Sequence, residues 1–192
     1  PALRDVEIVF HAAAYYPSTG KDVARQVAAA VEQVRGVLRA CREAGSPRLV
    51  YTSSLSTIGR PPVGEDRPAD ERDVYRAGTL PRSAYYESKS AMEAEVLRAA
   101  AAGYPAVVVN PTVVFGPGDA RPTTGALLLA LARGAGLISL PGWLNVVDVR
   151  DVAAAHLAAA EAGAAGERYI LGGHNLPYAE VRRSAARAAG AR

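Results

Sequence analysis

"PAVVVNPTVVF", residues 105–115, decides the fold. A strand with one face in water alternates apolar and polar residues. This one runs apolar without alternation until Asn110–Pro111 interrupts it, and such a strand has both faces covered. Outward from it the same type recurs. "RLVYTSS" (48–54) is β-branched and aromatic, and "VEIVFHAAA" (6–14) reads as a buried strand running into a small-residue turn. Between those two, residues 22–45 place Val27, Val31, Val34, Leu38 and Cys41 at helical period and stop at Gly45. After a polar loop over 59–81, Ser83 is a plausible N-cap for a helix reaching about Ala102. Downstream the pattern predicts a helix over 124–134, a strand over 143–149, a helix over 150–163, a strand over 167–173 and a last helix from 176. Strands alternating with helices in this way make an α/β fold, a doubly wound parallel sheet.

The chain has 192 residues, which fits one domain, and 49% of them are apolar, enough for a sizeable core. A net charge of +3, spread among acidic residues with no basic run, gives no reason to expect nucleic acid. Cys41, the single cysteine, excludes an internal disulfide and fits a reducing cytosol as a small buried side chain. No apolar run approaches the roughly 18 residues of a membrane span, so a cytoplasmic protein is expected. The three histidines have no metal-binding spacing.

Of 22 basic residues only two are lysines, Lys21 and Lys89. Lys89 stands four residues after Tyr85, so on a helix the ammonium and the phenol share a face, whereas Tyr86 is turned about 100° away. The stripe Tyr85, Lys89, Met92, Val96 is otherwise core-like, and a lysine there is unfavourable without a partner or ligand. An ammonium favours the phenolate of a neighbouring tyrosine, whose pKa starts near 10, and such a tyrosine exchanges protons with a hydroxyl or carbonyl. The plainer reading is a snorkelling lysine beside a packing tyrosine. With nine tyrosines in the chain, this spacing arises by chance in about one such sequence in ten. Two strand ends add weight. Ligands of open α/β sheets sit outside the carboxyl ends of the strands. There Thr52, Ser53 and Ser54 cluster, and a serine can hydrogen-bond a substrate oxygen. "HAAA" allows a backbone to approach a flat ligand. His11 reads more simply as a structural hydrogen-bonding residue than as an acid or base.

"VFHAAA", "VYTSS", "YYESK", "NPTVVFGPGD" and "NVVDVRDVAAAH", in this order and at these separations, resemble the extended short-chain dehydrogenase/reductases, the NAD(P)-dependent epimerase/dehydratase superfamily. "NPTVVFGPGDARPTTG" and "GERYILGGHNL" look like its dihydroflavonol-4-reductase-like branch, in particular hopanoid-associated sugar epimerase relatives. The resemblance implies a Rossmann-type domain over 1–192, with 116–145 and 172–192 contributing to a substrate lobe. It implies Tyr85 as general acid/base, Lys89 on the nicotinamide ribose and Ser54 on the reacting oxygen. NADP or NAD would further meet His11, Ala12, Ala13, Thr52 and Ser53, with the backbone of Pro111, Thr112 and Val113 along the carboxamide. Family members often pair through the helices corresponding to 22–44 and 83–102, so a homodimer is expected.

Two departures accompany the match. The family opens with a strand, a G-x-x-G-x-x-G turn and a helix, which cradle the pyrophosphate. This sequence begins near the family's fourth strand and stops as the substrate lobe should continue, so it reads as incomplete at both ends. In the helix after "HAAA", relatives carry an asparagine that supports the active-site hydrogen bonding, and Ala30 stands there. The expected activity is hydride transfer to or from a carbonyl or alcohol of a small molecule. Nucleotide-sugar epimerisation or dehydration is the alternative. A non-catalytic dinucleotide-binding regulator, or an inactive incomplete domain, is the alternative of another class.

Overall fold

The computed structural model describes residues 3–13, 15, 17, 22–119, 125, 126, 129, 130 and 142–188. They form two compact units, one of residues 1–110 and 155–170, the other of 111–154 and 171–192.

The first unit is built on a four-stranded sheet. Strands β1 (Ile8–His11), β2 (Arg48–Thr52), β3 (Ala106–Pro111) and β6 (Arg168–Leu171) lie in the order β1-β2-β3-β6. β1 and β2 are parallel with Phe10 opposite Val50, and β2 and β3 are parallel with Val50 opposite Val107. Successive side chains of a strand point to opposite faces, and both faces of β2 and β3 are covered; β1, expected to be buried, leaves Ile8 and Phe10 exposed on one face. Leu49 and Tyr51 of β2 join Ala106 and Val108 of β3 in a cluster under two helices, α1 (Val23–Glu43) and α2 (Ala84–Ala101). The alternate residues meet helix α3 (Val149–Ala162): Arg48 donates to the Ala159 carbonyl at 3.0 Å, and Thr52 Oγ1 lies 2.8 Å from His156 Nε2. β3 is buried along its whole length, as its unbroken apolar run requires. Each Val or Leu taken into such a core contributes about 1.5–3 kcal/mol before chain entropy is subtracted.

Both large helices are capped as their sequences suggest. The Asp22 carboxylate accepts from Arg25 N–H at 3.1 Å, and α1 ends at Ala44 before Gly45, whose φ of 92° favours a residue without a side chain. Ser83 Oγ accepts from Tyr86 N–H at 3.5 Å at the start of α2. The buried line of α1 is shifted from the expected one. It runs Gln26, Ala30, Val34, Leu38, Cys41, with Val27 and Val31 half-buried beside it.

In the second unit β5 (Trp143–Asp148) pairs in parallel with β4 (Val113–Phe115) and antiparallel with β7 (His174–Pro177), and helix α4 (Tyr178–Ala188) packs on β5 and β7. Two details differ from the sequence reading. Residues 105–115 form two strands in separate sheets, divided at Thr112, whose N–H and Oγ1 both bond the Leu171 carbonyl. The last helix is preceded by a strand, β7, whose short polar "HNLP" has no strand-like alternation. The helix expected over 124–134 lies largely outside the described residues.

Candidate active site

β2 ends at Thr52, and the chain continues extended through Ser54 into a single 3-10 turn, Leu55–Thr57. Ser54 caps that turn, its Oγ accepting from Ser56 N–H at 3.1 Å. Tyr85 stands in the first turn of α2, and its phenol donates to the same Ser54 Oγ at 3.1 Å. A hydroxyl that accepts from two donors keeps its own proton to give. Ser54 can therefore donate to an oxygen arriving beside the Tyr85 phenol. Tyr86 takes no part in this contact; its ring lies against Tyr75 at 5.6 Å and meets the Tyr85 ring edge-on at 6.0 Å.

One helical turn beyond Tyr85, Lys89 is 4% exposed, and no described residue accepts a hydrogen bond from its ammonium. Burial lowers its pKa from the usual lysine value, and the Glu93 carboxylate works in the opposite direction. Burial also lowers the pKa of His11 at the end of β1, with the Lys89 charge adding to the shift. His11 stacks on Tyr51, ring centroids 5.4 Å apart, and its Nδ1 is buried with no partner among the described residues. A backbone hydrogen bond works against the lowering of its pKa, and the ring stack adds to that structural contact. A lysine on a buried helix face is expensive without a partner, and it suits a ligand that brings hydroxyl oxygens.

The remaining expected residues are distributed as follows. Ala12 and Ala13 follow β1 as exposed backbone. Ser53 is buried, its N–H donating to the Val109 carbonyl, while its Oγ has no partner among the described residues. Thr52 points to the other sheet face, toward His156. Pro111, Thr112 and Val113 belong to the second unit, where Thr112 is tied to Leu171. Among the described residues no group of three or more His, Cys, Asp or Glu side chains could hold a metal ion. No described helix is long and apolar enough to cross a membrane.

The sequence pattern of the NAD dependent epimerase/dehydratase family matches residues 2–172. The chain belongs to that family. It is 39% identical over 173 residues to a Synechocystis protein assigned as a dihydroflavonol 4-reductase, covering 88% of this chain and 50% of that one. A nucleoside-diphosphate-sugar epimerase from Pseudomonas aeruginosa superposes with a TM-score of 0.84 at 31% identity, over 100% of this chain and 59% of the other. The yeast methylglyoxal/isovaleraldehyde reductase in complex with NADPH superposes at 0.75 with 25% identity, over 93% and 59%. The chain spans about half the length of the curated relatives it matches.

Within this epimerase/dehydratase chain, Ala30 is fully buried in the apolar cluster with Tyr51 and Met92. Its methyl group cannot supply the polar support expected of the family's asparagine. A polar cluster that the sequence reading did not find lies nearby: Glu93, Thr57, Asn110 and Arg168 bond one another in the core. One signal was available. Glu93 falls four residues after Lys89, so a carboxylate stands on the buried stripe of α2.

Proposed function

We propose that this chain is the catalytic portion of an NAD(P)-dependent oxidoreductase that reduces a carbonyl, or oxidises the matching alcohol, on a small-molecule substrate. The observation carrying this reading is the Tyr85–Ser54 contact at 3.1 Å, one helical turn ahead of the buried Lys89, from which no described residue accepts a hydrogen bond. The nicotinamide, when bound, supplies or accepts the hydride. Ser54 orients the substrate oxygen through its free O–H. Tyr85 Oη delivers a proton to that oxygen in reduction and removes it in oxidation. Lys89 holds the hydroxyls of the nicotinamide ribose and places a positive charge on the side of the helix that carries Tyr85. His11 to Ala13 and Ser53 complete the cofactor contacts in this proposal, with Thr52 as the outlying member.

Likeness to a dihydroflavonol reductase and to an aldehyde reductase supports carbonyl reduction as the first reading. Likeness to a nucleoside-diphosphate-sugar epimerase supports sugar epimerisation as the second, with the same three residues moving the proton. Pure dinucleotide binding leaves the Ser54–Tyr85 hydrogen bond without a use. A homodimer formed through α1 and α2, and a cytoplasmic location consistent with the buried free Cys41, belong to the same proposal. The direct test is titration of the full-length protein with NADH and NADPH, followed by a panel of aldehydes, flavanonols and nucleotide sugars. Binding of a reduced nicotinamide and its oxidation by a carbonyl compound is expected. Absence of binding to either would remove the reading.

A further inference from the structure

Behind the Ser54–Tyr85 contact lies the polar cluster centred on Glu93, two turns beyond Tyr85 on the same face of α2. Glu93 is 3% exposed. Its Oε2 accepts from Asn110 Nδ2 at 2.7 Å, from the end of β3, and lies 2.7 Å from Thr57 Oγ1. Its Oε1 pairs with Arg168 Nε of β6 at 2.9 Å. These partners converge on the turn that carries Ser54. Asn110 Nδ2 and Thr57 Oγ1 lie 3.2 and 2.9 Å from the Ser54 carbonyl, and Arg168 donates to the Thr57 carbonyl at 2.9 Å. The Ser54 hydroxyl faces Tyr85 while its carbonyl is gripped from behind.

A buried ion pair is weak evidence for stability, because apolar side chains of similar volume often serve as well. Met92 and Val96 fill the adjoining positions of α2 in that way. What an apolar residue could not do is bond three separate chain segments at once. We propose that Glu93 is a positioning residue for proton transfer: through Thr57 and Asn110 it fixes where the Ser54 hydroxyl stands relative to Tyr85. The inference rests on the oxidoreductase reading above.

The surroundings of Lys89 support it. The charged or titratable groups coupled to that ammonium are His11 from β1 and Glu93 from α2 itself. The buried face of α1, from Gln26 to Cys41, carries no charge. Of these groups Glu93 is the one whose charge opposes the burial of Lys89 and holds its proton on. Glu93 thus acts on two members of the site, Ser54 by hydrogen bonds and Lys89 by charge.

Thr57→Val and Thr57→Ser in the full-length protein separate positioning from folding, since the first removes the hydroxyl isosterically and the second keeps it. Thr57→Val is expected to lower kcat by about tenfold or more with NADPH affinity within about twofold of wild type, and Thr57→Ser to restore kcat. Glu93→Gln is expected to move the high-pH limb of kcat to lower pH, because Lys89 then gives up its proton sooner. A purely structural carboxylate would leave that limb in place. Thr57→Val with wild-type kcat, or a folded Glu93→Gln with unchanged kcat and pH profile, would overturn the inference. If Glu93→Gln does not fold, the Thr57 pair decides. A wild-type protein that binds neither nicotinamide would instead remove the oxidoreductase reading, and this inference with it. Turnover by wild type and Thr57→Val alike removes positioning alone.

Discussion

Tyr85 Oη donates to Ser54 Oγ at 3.1 Å, although the two residues are 31 positions apart and come from a helix and a strand end. The contact depends on Ser83 starting α2 one residue before Ala84 and on Ser54 opening the 3-10 turn. Ser54→Ala removes the acceptor for both Tyr85 and Ser56. Turnover should fall about a hundredfold, as when one donor to a reacting oxygen is lost. Stability should fall by about 1 kcal/mol through the lost cap. Steady-state kinetics and a denaturant melt of the same variant read the two effects separately.

Lys89 is predicted to be a burden on the folded protein. Burial holds its pKa below the usual 10.5, so between the folded value and 10.5 the unfolded chain binds more protons and stability rises with pH. At neutral pH the native state carries that buried charge. Lys89→Met should therefore raise the thermal midpoint of the cofactor-free protein at pH 7 and flatten its alkaline rise. The same variant should lose turnover and bind nicotinamide more weakly, as scanning calorimetry and cofactor titration would record.

His11 sets a contribution of the opposite pH range. Its folded pKa is lowered from 6.5, first by burial and then by Lys89, so the native state resists a proton that the unfolded chain accepts. Stability should fall as pH drops from about 6.5 through the folded value. His11→Gln should lessen the slope of thermal midpoint against pH in that acid window and leave the neutral region nearly unchanged.

Gly59 marks where the polar loop leaves the Ser54 turn. A Cβ there would stand 2.5 Å from the Val74 carbonyl oxygen, and backbone cannot give way as a side-chain tip can. Gly59→Ala should open the Ile58–Val74 bridge and cost about 1–3 kcal/mol, read as a lower denaturant midpoint.

The sheet and its helices were legible because strands buried on both faces write their burial as unbroken apolar runs, and Val107–Val109 do so. The Tyr85–Lys89 face was legible because helical geometry fixes it locally. β7 was not, since four residues ending at Pro177 carry no alternation and are held by pairing with β5. The Glu93 cluster was not either. Its partners Thr57, Asn110 and Arg168 come from distant segments, and one of them, Arg168, looked like any other arginine in a chain rich in them. Charge buried against charge leaves no period in a sequence.

The central claim is that Tyr85, and not its neighbour, moves the proton. The most direct measurement compares Tyr85→Phe and Tyr86→Phe in the full-length protein, with NADPH or NADH affinity determined for each beside turnover. Tyr85→Phe should bind cofactor nearly as wild type and lose at least about a hundredfold in kcat, while Tyr86→Phe keeps most of its activity. Wild-type turnover by Tyr85→Phe would contradict the account.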